Sequence, residues 1–341
     1  MVDEGRLVAP VRCPVVEIRR GLRALPAGEG PTAVTVGFFD GVHRGHHAIL
    51  ARTVQVGRAR GLRPVAITFD RHPRETLSPG KEPPLLTTLD RKVTLIAEAG
   101  IEELVALEFD QAFAEWPPEA FVRRILVEGL HTAHAVIGAN FTFGHKAAGN
   151  LALLSEMGPG HGFSVEGVSL LQVGGRTVSS SAIREGLAAG DLGWPTEALG
   201  RRFVVDGRVV PGAGRGGAVL GFPTANLEVP PKMLVPGRGI YAGRAYGEGL
   251  VHVAAISVGT NPTFGGEPLH VEAYLLDFDG DLGGRPLAVE FWERLRDEAR
   301  FDSPRALAEQ IAQDVARTRL AVPAERLGEA GPGSAAGRVV G

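Results

Sequence analysis

Val34-Thr35-Val36-Gly37-Phe38-Phe39-Asp40-Gly41-Val42-His43-Arg44-Gly45-His46 decides how the first half of this chain reads. Val34–Phe38 is an apolar run of strand length, and it predicts a buried strand. A helical pattern follows over His46–Arg58, with Ile49, Leu50, Thr53 and Val54 on one face. A glycine-bearing loop between a strand end and a helix start suits a phosphate. Glycine lets the backbone come close, and the first helical turn offers free amides at the positive end of its dipole. His43 and His46 flank the loop, where histidine can set a charge or a hydrogen-bond donor against phosphate oxygens. No G-K-[ST] ends the loop and no G-x-G-x-x-G lies in it, so it is neither of those nucleotide loops.

The alternation continues outward from this stretch. Strands are expected at Val65–Phe69, Glu103–Leu107, Ala135–Gly138 and Val165–Leu171. Helices are expected at Arg91–Ala99, Pro118–Glu128, Leu151–Met157 and Ser181–Ala189. Strands separated by helix-length segments predict a parallel sheet covered on both faces, with ligands beyond the strands' C-terminal ends. After Gly190-Asp191 the texture changes to short β-rich segments broken by Gly and Pro: Phe203–Val210, Ile240–Tyr246, His252–Val258, Val271–Phe278 and Leu287–Arg294. These predict an antiparallel barrel. A helix over Pro304–Thr318, capped by Ser303, follows it. The fold class is therefore α/β plus β, with the boundary near Gly190–Thr196. The Gly/Ala-rich residues 324–341 are expected to be a disordered tail.

Composition narrows the function. A chain of 341 residues exceeds one usual core, so two domains are expected. The net charge of −3 gives no basic footprint, which removes nucleic acid as a general partner. The single cysteine, Cys13, has no partner for an internal disulfide or a cysteine zinc site, and it fits a cytoplasmic setting. No run approaches the roughly 18 apolar residues of a membrane span.

Three further stretches follow the first. They are Thr68-Phe69-Asp70-Arg71-His72-Pro73, Val136-Ile137-Gly138-Ala139-Asn140-Phe141-Thr142-Phe143-Gly144 and Ser179-Ser180-Ser181-Ala182-Ile183-Arg184. In the last, three hydroxyls can cap a helix or donate to an anion, and the guanidinium of Arg184 can clamp phosphate oxygens. In the second half, Gly212–Gly221 is glycine-rich and leads into Phe222-Pro223-Thr224-Ala225-Asn226-Leu227. Thr224 and Asn226 lie two apart and share a strand face. A hydroxyl and an amide carbonyl are hard oxygen ligands suited to Mg²⁺ beside nucleotide phosphates.

Taken in order, these motifs resemble the bifunctional riboflavin kinase/FAD synthetase family. F-D-G-V-H-R-G-H resembles its nucleotidylyltransferase signature, and Thr68–Pro73 resembles T-F-D-P-H-P with Arg71 in place of proline. Ser179–Arg184 resembles S-S-T-x-I-R with Ser181 in place of threonine. The segment from Gly214 to Leu227 resembles the kinase element G-R-G-x-x-x-L-G-x-P-T-A-N. Gly239–Gly243, Ser257–Phe264, Val271–Phe278 and Phe301–Ser303 are similar to later kinase segments. Tyr274, Gly283 and Ala218 depart from the family's usual residues.

The resemblance implies a Rossmann-like FMN adenylyltransferase domain over 14–190, a riboflavin kinase barrel over 197–322 and a tail over 323–341. Riboflavin and ATP would give FMN, and FMN and ATP would give FAD and pyrophosphate, with Mg²⁺ as the metal and an oligomer left open. It implies catalytic roles for His43, His46 and Arg184, and for Glu272 as the base that takes the ribityl hydroxyl proton. It implies nucleotide or flavin binding by Gly37, Phe38, Asp40, Gly41, Asn140, Ser179, Ser180, Ser181, Arg215, Gly216, Gly221, Pro223, Thr224 and Asn226. The competing readings are a paralogue with the adenylylation site alone working and a non-catalytic flavin-nucleotide binder.

Overall fold

Successive residues of a strand face opposite ways, so a run that is apolar at every position buries both faces. Val65-Ala66-Ile67 does this. In the computed structural model, which describes residues 16–25, 30–211, 222–247, 249–260 and 269–323, Val65 and Ile67 join one core and Ala66 the other. The strands of this first sheet are β1 (Glu17–Arg20), β2 (Thr32–Val36), β3 (Arg63–Phe69), β4 (Glu103–Leu107), β5 (Thr132–Gly138) and β6 (Ser164–Val168). They run parallel in the order β1-β4-β3-β2-β5-β6.

Helices α1 (Arg44–Arg60) and α2 (Leu89–Glu98) cover one face through Leu50, Val54, Val93 and Ile96. Helix α3 covers the other, as Pro118–Phe121 continued by a π-helical Val122–Gly129, together with α4 (Leu151–Gly160), through Phe121, Ile125 and Leu154. From β2 the chain winds through β3 to β4 on one side, then returns to β5 and β6 on the other. The crevice where the winding reverses lies at the C-terminal ends of β2 and β5. The loop after β2 carries His43, and the loop after β5 carries Asn140.

Helices α5 (Ser180–Ala188) and α6 (Gly193–Leu199) lead into a closed antiparallel barrel. Its strands are β7 (Val204–Val210), β8 (Ala225–Glu228), β9 (Gly239–Gly247), β10 (Leu250–Gly259), β11 (His270–Leu275) and β12 (Pro286–Arg296), closed in the order β7-β8-β11-β10-β9-β12. Helix α7 (Pro304–Ala321) packs outside it, and Ser303 accepts the Ala306 amide at its start.

One apolar cluster crosses the junction, joining Ile183, Leu187, Leu192 and Leu199 to Phe203, Tyr241 and Phe291. Polar ties run beside it. Arg91 Nε donates to Asp206 Oδ2 at 2.8 Å, and Lys232 Nζ lies 2.7 Å from Glu75 and 3.0 Å from Glu82.

Two expectations change. Strand β1 was not anticipated, because Glu17, Arg19 and Arg20 give an edge strand that lacks apolar alternation. Near the expected boundary, Gly190–Thr196, helix α6 begins, and its cap Leu192 with its Ala198 and Leu199 is buried in the junction. The strand expected over Val165–Leu171 ends at Val168. Cys13, Arg215, Gly216, Ala218, Gly221 and the tail 324–341 lie outside the described residues.

Leu50 is fully buried between α1 and the sheet. Leu50→Ala is expected to lower the unfolding free energy by about 2–5 kcal/mol in a denaturant titration, through lost burial and the cavity left behind.

Candidate active sites

The loop after β2 is held in an unusual backbone path. Phe39, Gly41 and Val42 all have positive φ, at 53°, 78° and 36°, and Phe39 and Val42 are buried. A side chain at Gly41 would meet Leu86 at 2.8 Å, so glycine is required there on two counts. Such a path persists only where its surroundings enforce it. Asp40 does much of that. Its buried carboxylate accepts from the Leu86 amide at 3.0 Å and the Thr87 amide at 3.3 Å, and pairs with Arg184 at 2.5 Å. Arg184 also donates through Nε to the Pro84 carbonyl at 2.7 Å.

The three serines divide their work. Ser179 caps α5 by accepting the Ala182 amide, Ser180 donates to the Asp40 carbonyl at 3.0 Å, and Ser181 is exposed at the pocket wall. A cavity of about 300 Å³ lies over this loop, lined by Phe38, His43, His46, Asn140, Ser181 and Arg184 among others. A Cβ at Gly37, just after β2, would strike the Phe39 ring at 2.9 Å.

His43 caps α1. Its Nδ1 accepts the His46 amide at 3.2 Å, which leaves the proton of the neutral ring on Nε2. The His43 and His46 rings stack with centroids 3.6 Å apart. Burial, and next the Arg201 guanidinium, push His43 down to about 4. Burial and the adjoining His43 push His46 well below the usual histidine range. Both directions favour the neutral ring near pH 7, so of the two roles read from the sequence, a charge or a hydrogen-bond donor, burial favours the donor. Asp40 lines the cavity too, with its carboxylate turned onto Arg184 and the Leu86 and Thr87 amides.

Sequence reasoning missed two cations. Lys92 is buried, its ammonium 3.8 Å from the Phe38 ring centroid, and burial pushes it down to about 8. Its signal was its place on the apolar face of α2, between Leu89 and Val93 in helical spacing. Arg201 is half-buried, and its signal was slight: a twin arginine after Gly200, with no periodicity to read.

On the barrel, Asn226 of β8 lies in register with Glu272 of β11, and Ser257 of β10 lies on Glu272's other side. The Thr224 hydroxyl donates to Glu272 Oε2 at 3.2 Å. All face outward, since their strand neighbours Ala225, Ala273 and Ile256 fill the barrel core. A cavity of about 1000 Å³ opens here between the barrel wall, Glu298–Pro304 and α7, and it includes Phe222, Thr224, Glu272 and Tyr274. Tyr274 meets Phe222 edge-on at 5.3 Å, so it packs within the cavity and leaves Glu272 in place. Pro223 is exposed beside Thr224. Gly283 lies in the turn before β12, where its amide donates to Asp281, and it does not line this cavity.

The FAD synthetase family model matches residues 26–182, and the riboflavin kinase model matches residues 199–322. The bifunctional riboflavin kinase/FMN adenylyltransferase of Escherichia coli K12 is 34% identical over 301 residues, spanning 88% of this chain and 96% of its own. This chain belongs to that family. The Pseudomonas fluorescens bifunctional riboflavin kinase/FMN adenylyltransferase is 37% identical over 310 residues, spanning 90% of this chain and 99% of its own. A crystal structure of a macrolide-efflux protein from Streptococcus pneumoniae shares the architecture, with TM-score 0.80 at 27% identity over 89% of this chain and 99% of that one. Among the described residues no helix is long and apolar enough to cross a membrane. Family membership makes this chain a riboflavin kinase and an FMN adenylyltransferase, both using ATP.

Two outcomes follow from the loop. Asp40→Asn leaves Arg184 buried beside a neutral partner, and it is expected to cost about 3–5 kcal/mol of stability in a denaturant titration. His43 stays neutral when folded but takes up a proton below about pH 6.5 when unfolded, so the unfolded state binds more protons between those values. Stability is therefore expected to fall as pH drops from 6.5 toward 4, by up to about 3 kcal/mol for this group, and His43→Gln should flatten part of that slope.

Proposed function

We propose that the loop after β2 is the adenylylation site and that the outer face of β8, β10 and β11 is the kinase site. The observation that carries the first assignment is the convergence of His43, His46, Asn140, Ser181 and Arg184, from three separated segments, on one cavity at the sheet's switch point. The ATP phosphates lie against Gly37, Phe38 and Gly41 and the first turn of α1. His43 donates through Nε2, Arg184 through Nη1, and Asn140 and Ser181 orient the reactants; His46, Asp40, Ser179 and Ser180 line the cavity beside them. An oxygen of the FMN phosphate attacks the α-phosphorus of ATP, the new P–O bond forms as the α–β bridging bond breaks, and pyrophosphate leaves. The attacking phosphate is already ionised, so this step needs charge stabilisation and alignment without a base.

At the barrel, the terminal ribityl hydroxyl of riboflavin loses its proton to Glu272 as its oxygen attacks the γ-phosphorus of ATP, and ADP leaves. The flavin ring occupies the cavity beside Phe222 and Tyr274. The donor set fits Mg²⁺: Thr224 and Asn226 offer hard oxygens next to the Glu272 carboxylate, and the Asn226 amide is not engaged among the described residues. Bound there, the ion would neutralise nucleotide phosphate charge. Arg215, Gly216 and Gly221 complete this nucleotide site in our reading. The adenylylation unit extends over 14–190 and the kinase unit over 197–322, with 323–341 as a tail. The enzyme works in the cytoplasm, without nucleic acid.

Two variants separate the sites. Glu272→Gln is expected to lower the kinase kcat by about 10²–10⁴-fold while FAD still forms from supplied FMN. His43→Ala is expected to do the reverse, with FMN accumulating from riboflavin. Both are read by chromatography of the flavins. Parallel loss of both activities in either variant would contradict the division.

A further inference from the structure

The strained loop is held from a second direction, and the hold comes from the barrel side. Arg201 follows α6 and stands just before the barrel. Its Nη2 donates to the Gly41 carbonyl at 2.5 Å, and its Nη1 donates to the Val42 carbonyl at 3.0 Å and the Leu199 carbonyl at 3.4 Å. The next residue faces the other way: Arg202 stacks on Trp292 of β12 at 3.8 Å and donates to the Trp292 carbonyl. Consecutive arginines thus grip the two units. The chain is brought in by α6, which ends on Gly200 at φ 73°, where Arg44 of α1 crosses within 3.1 Å of a Cβ position. Arg201 falls in the segment matched by the riboflavin kinase model and outside the segment matched by the FAD synthetase model.

The chemistry of this contact is specific. Two successive peptide carbonyls turned onto one guanidinium fix the peptide planes of Gly41 and Val42, the residues that set the approach to His43 and the first turn of α1. A planar fork holds two acceptors at once, whereas an ammonium is a point donor. Because a loop with φ 53°, 78° and 36° would relax if released, what fixes its carbonyls fixes the donors facing the substrate.

We propose that Arg201 is a positioning residue of the adenylylation site: supplied from the kinase side of the junction, it holds the Gly41 and Val42 carbonyls and thereby the geometry of the phosphate loop. This rests on the adenylylation site lying at that loop. It makes FAD synthesis depend on a residue that the kinase reaction does not use.

The test uses the full chain and both activities. In Arg201→Met, FAD synthesis from FMN and ATP is expected to fall by about 10²-fold in kcat, with KM changed less than about 3-fold and the kinase rate kept within about 2-fold. Arg201→Lys should lose about 10-fold, recovering part of the rate through one of the two bonds. The His43 ring gives a readout that a general loss of stability would not move. It is faced by Arg201, Arg184, His46 and His47, so its titration, followed by NMR of labelled histidine, should rise in Arg201→Met and stay near its native position in Arg201→Lys. Wild-type FAD synthesis in Arg201→Met, or an equal fall of both activities, would overturn the proposal. If Arg201→Met does not fold, Arg201→Lys decides, and a wild-type FAD rate there overturns it. His43→Ala is run alongside. FAD synthesis lost there but intact in Arg201→Met defeats the Arg201 role alone, while FAD synthesis intact in His43→Ala defeats the placement of the site.

Discussion

The buried carboxylate of Asp40 is the constraint on which the first site depends. A charge taken out of water is tolerated only if it is paired and its lone pairs are used. Asp40 meets both conditions with groups far apart in sequence: the Leu86 and Thr87 amides that precede α2, and the Arg184 guanidinium of α5. Satisfying one side chain therefore brings three segments to one place. Its own backbone carbonyl is tied to Ser180, so the loop is fixed from both its main chain and its side chain. The strained φ values of Phe39 and Val42 are the local cost of this arrangement, and the fully buried packing of both residues offsets it.

The same contacts leave an unbalanced charge. Asp40 pairs with Arg184, but Lys92 rests on the Phe38 ring and Arg201 on backbone carbonyls. Neither of these two cations has a hydrogen-bonded carboxylate among the described residues. Buried and half-buried cations held by dipoles keep most of their field, because the surrounding dielectric is low. Lys92 and Arg201 thus place positive charge beside the loop with few exposed cations in the cavity. If the triphosphate binds where we propose, such charge suits it better than a row of surface lysines, which water and salt would screen. It also explains why net charge gave no hint: the chain is at −3 overall, and the relevant charges are few, buried or half-buried, and local.

The parts that were legible in the sequence share one property: their pattern is local. Val65–Phe69 and Glu103–Leu107 are apolar at nearly every position, and a doubly covered parallel strand has few other ways to look. The loop and its histidines were legible because strand, glycine and helix start are adjacent. Strand β1 was not, because three of its four residues are charged and its pairing with β4 is a long-range fact. The roles of Asp40 and Arg201 were not, because each depends on what a side chain meets across the fold. Asp40 reads as a polar loop residue facing a ligand, and its partner lies 144 residues away. The change of texture after Gly190 marked a boundary but not the short helix α6 beside it, which is held because Leu192 at its cap and Leu199 at its end find an apolar surface at the junction.

The protonation of His43 and His46 follows from packing rather than from residue type. Two imidazoles stacked at 3.6 Å, with Arg201 and Lys92 behind them, cannot readily both carry charge. As neutral rings they still donate, and the cap on α1 selects which nitrogen does so for His43. In the adenylylation step we propose, a neutral donor fixed in place stabilises negative charge as it develops on the α-phosphate, without attracting the ground-state phosphates as strongly as a cation would. That difference is what accelerates a reaction, since only interactions stronger in the transition state than in the bound substrate raise the rate. On that proposal the attraction that gathers the substrate comes from the fixed cations around and behind the loop, and the differential stabilisation comes from the imidazoles in front. The two tasks are assigned to different residues, and the Asp40 and Arg201 contacts hold both sets in register.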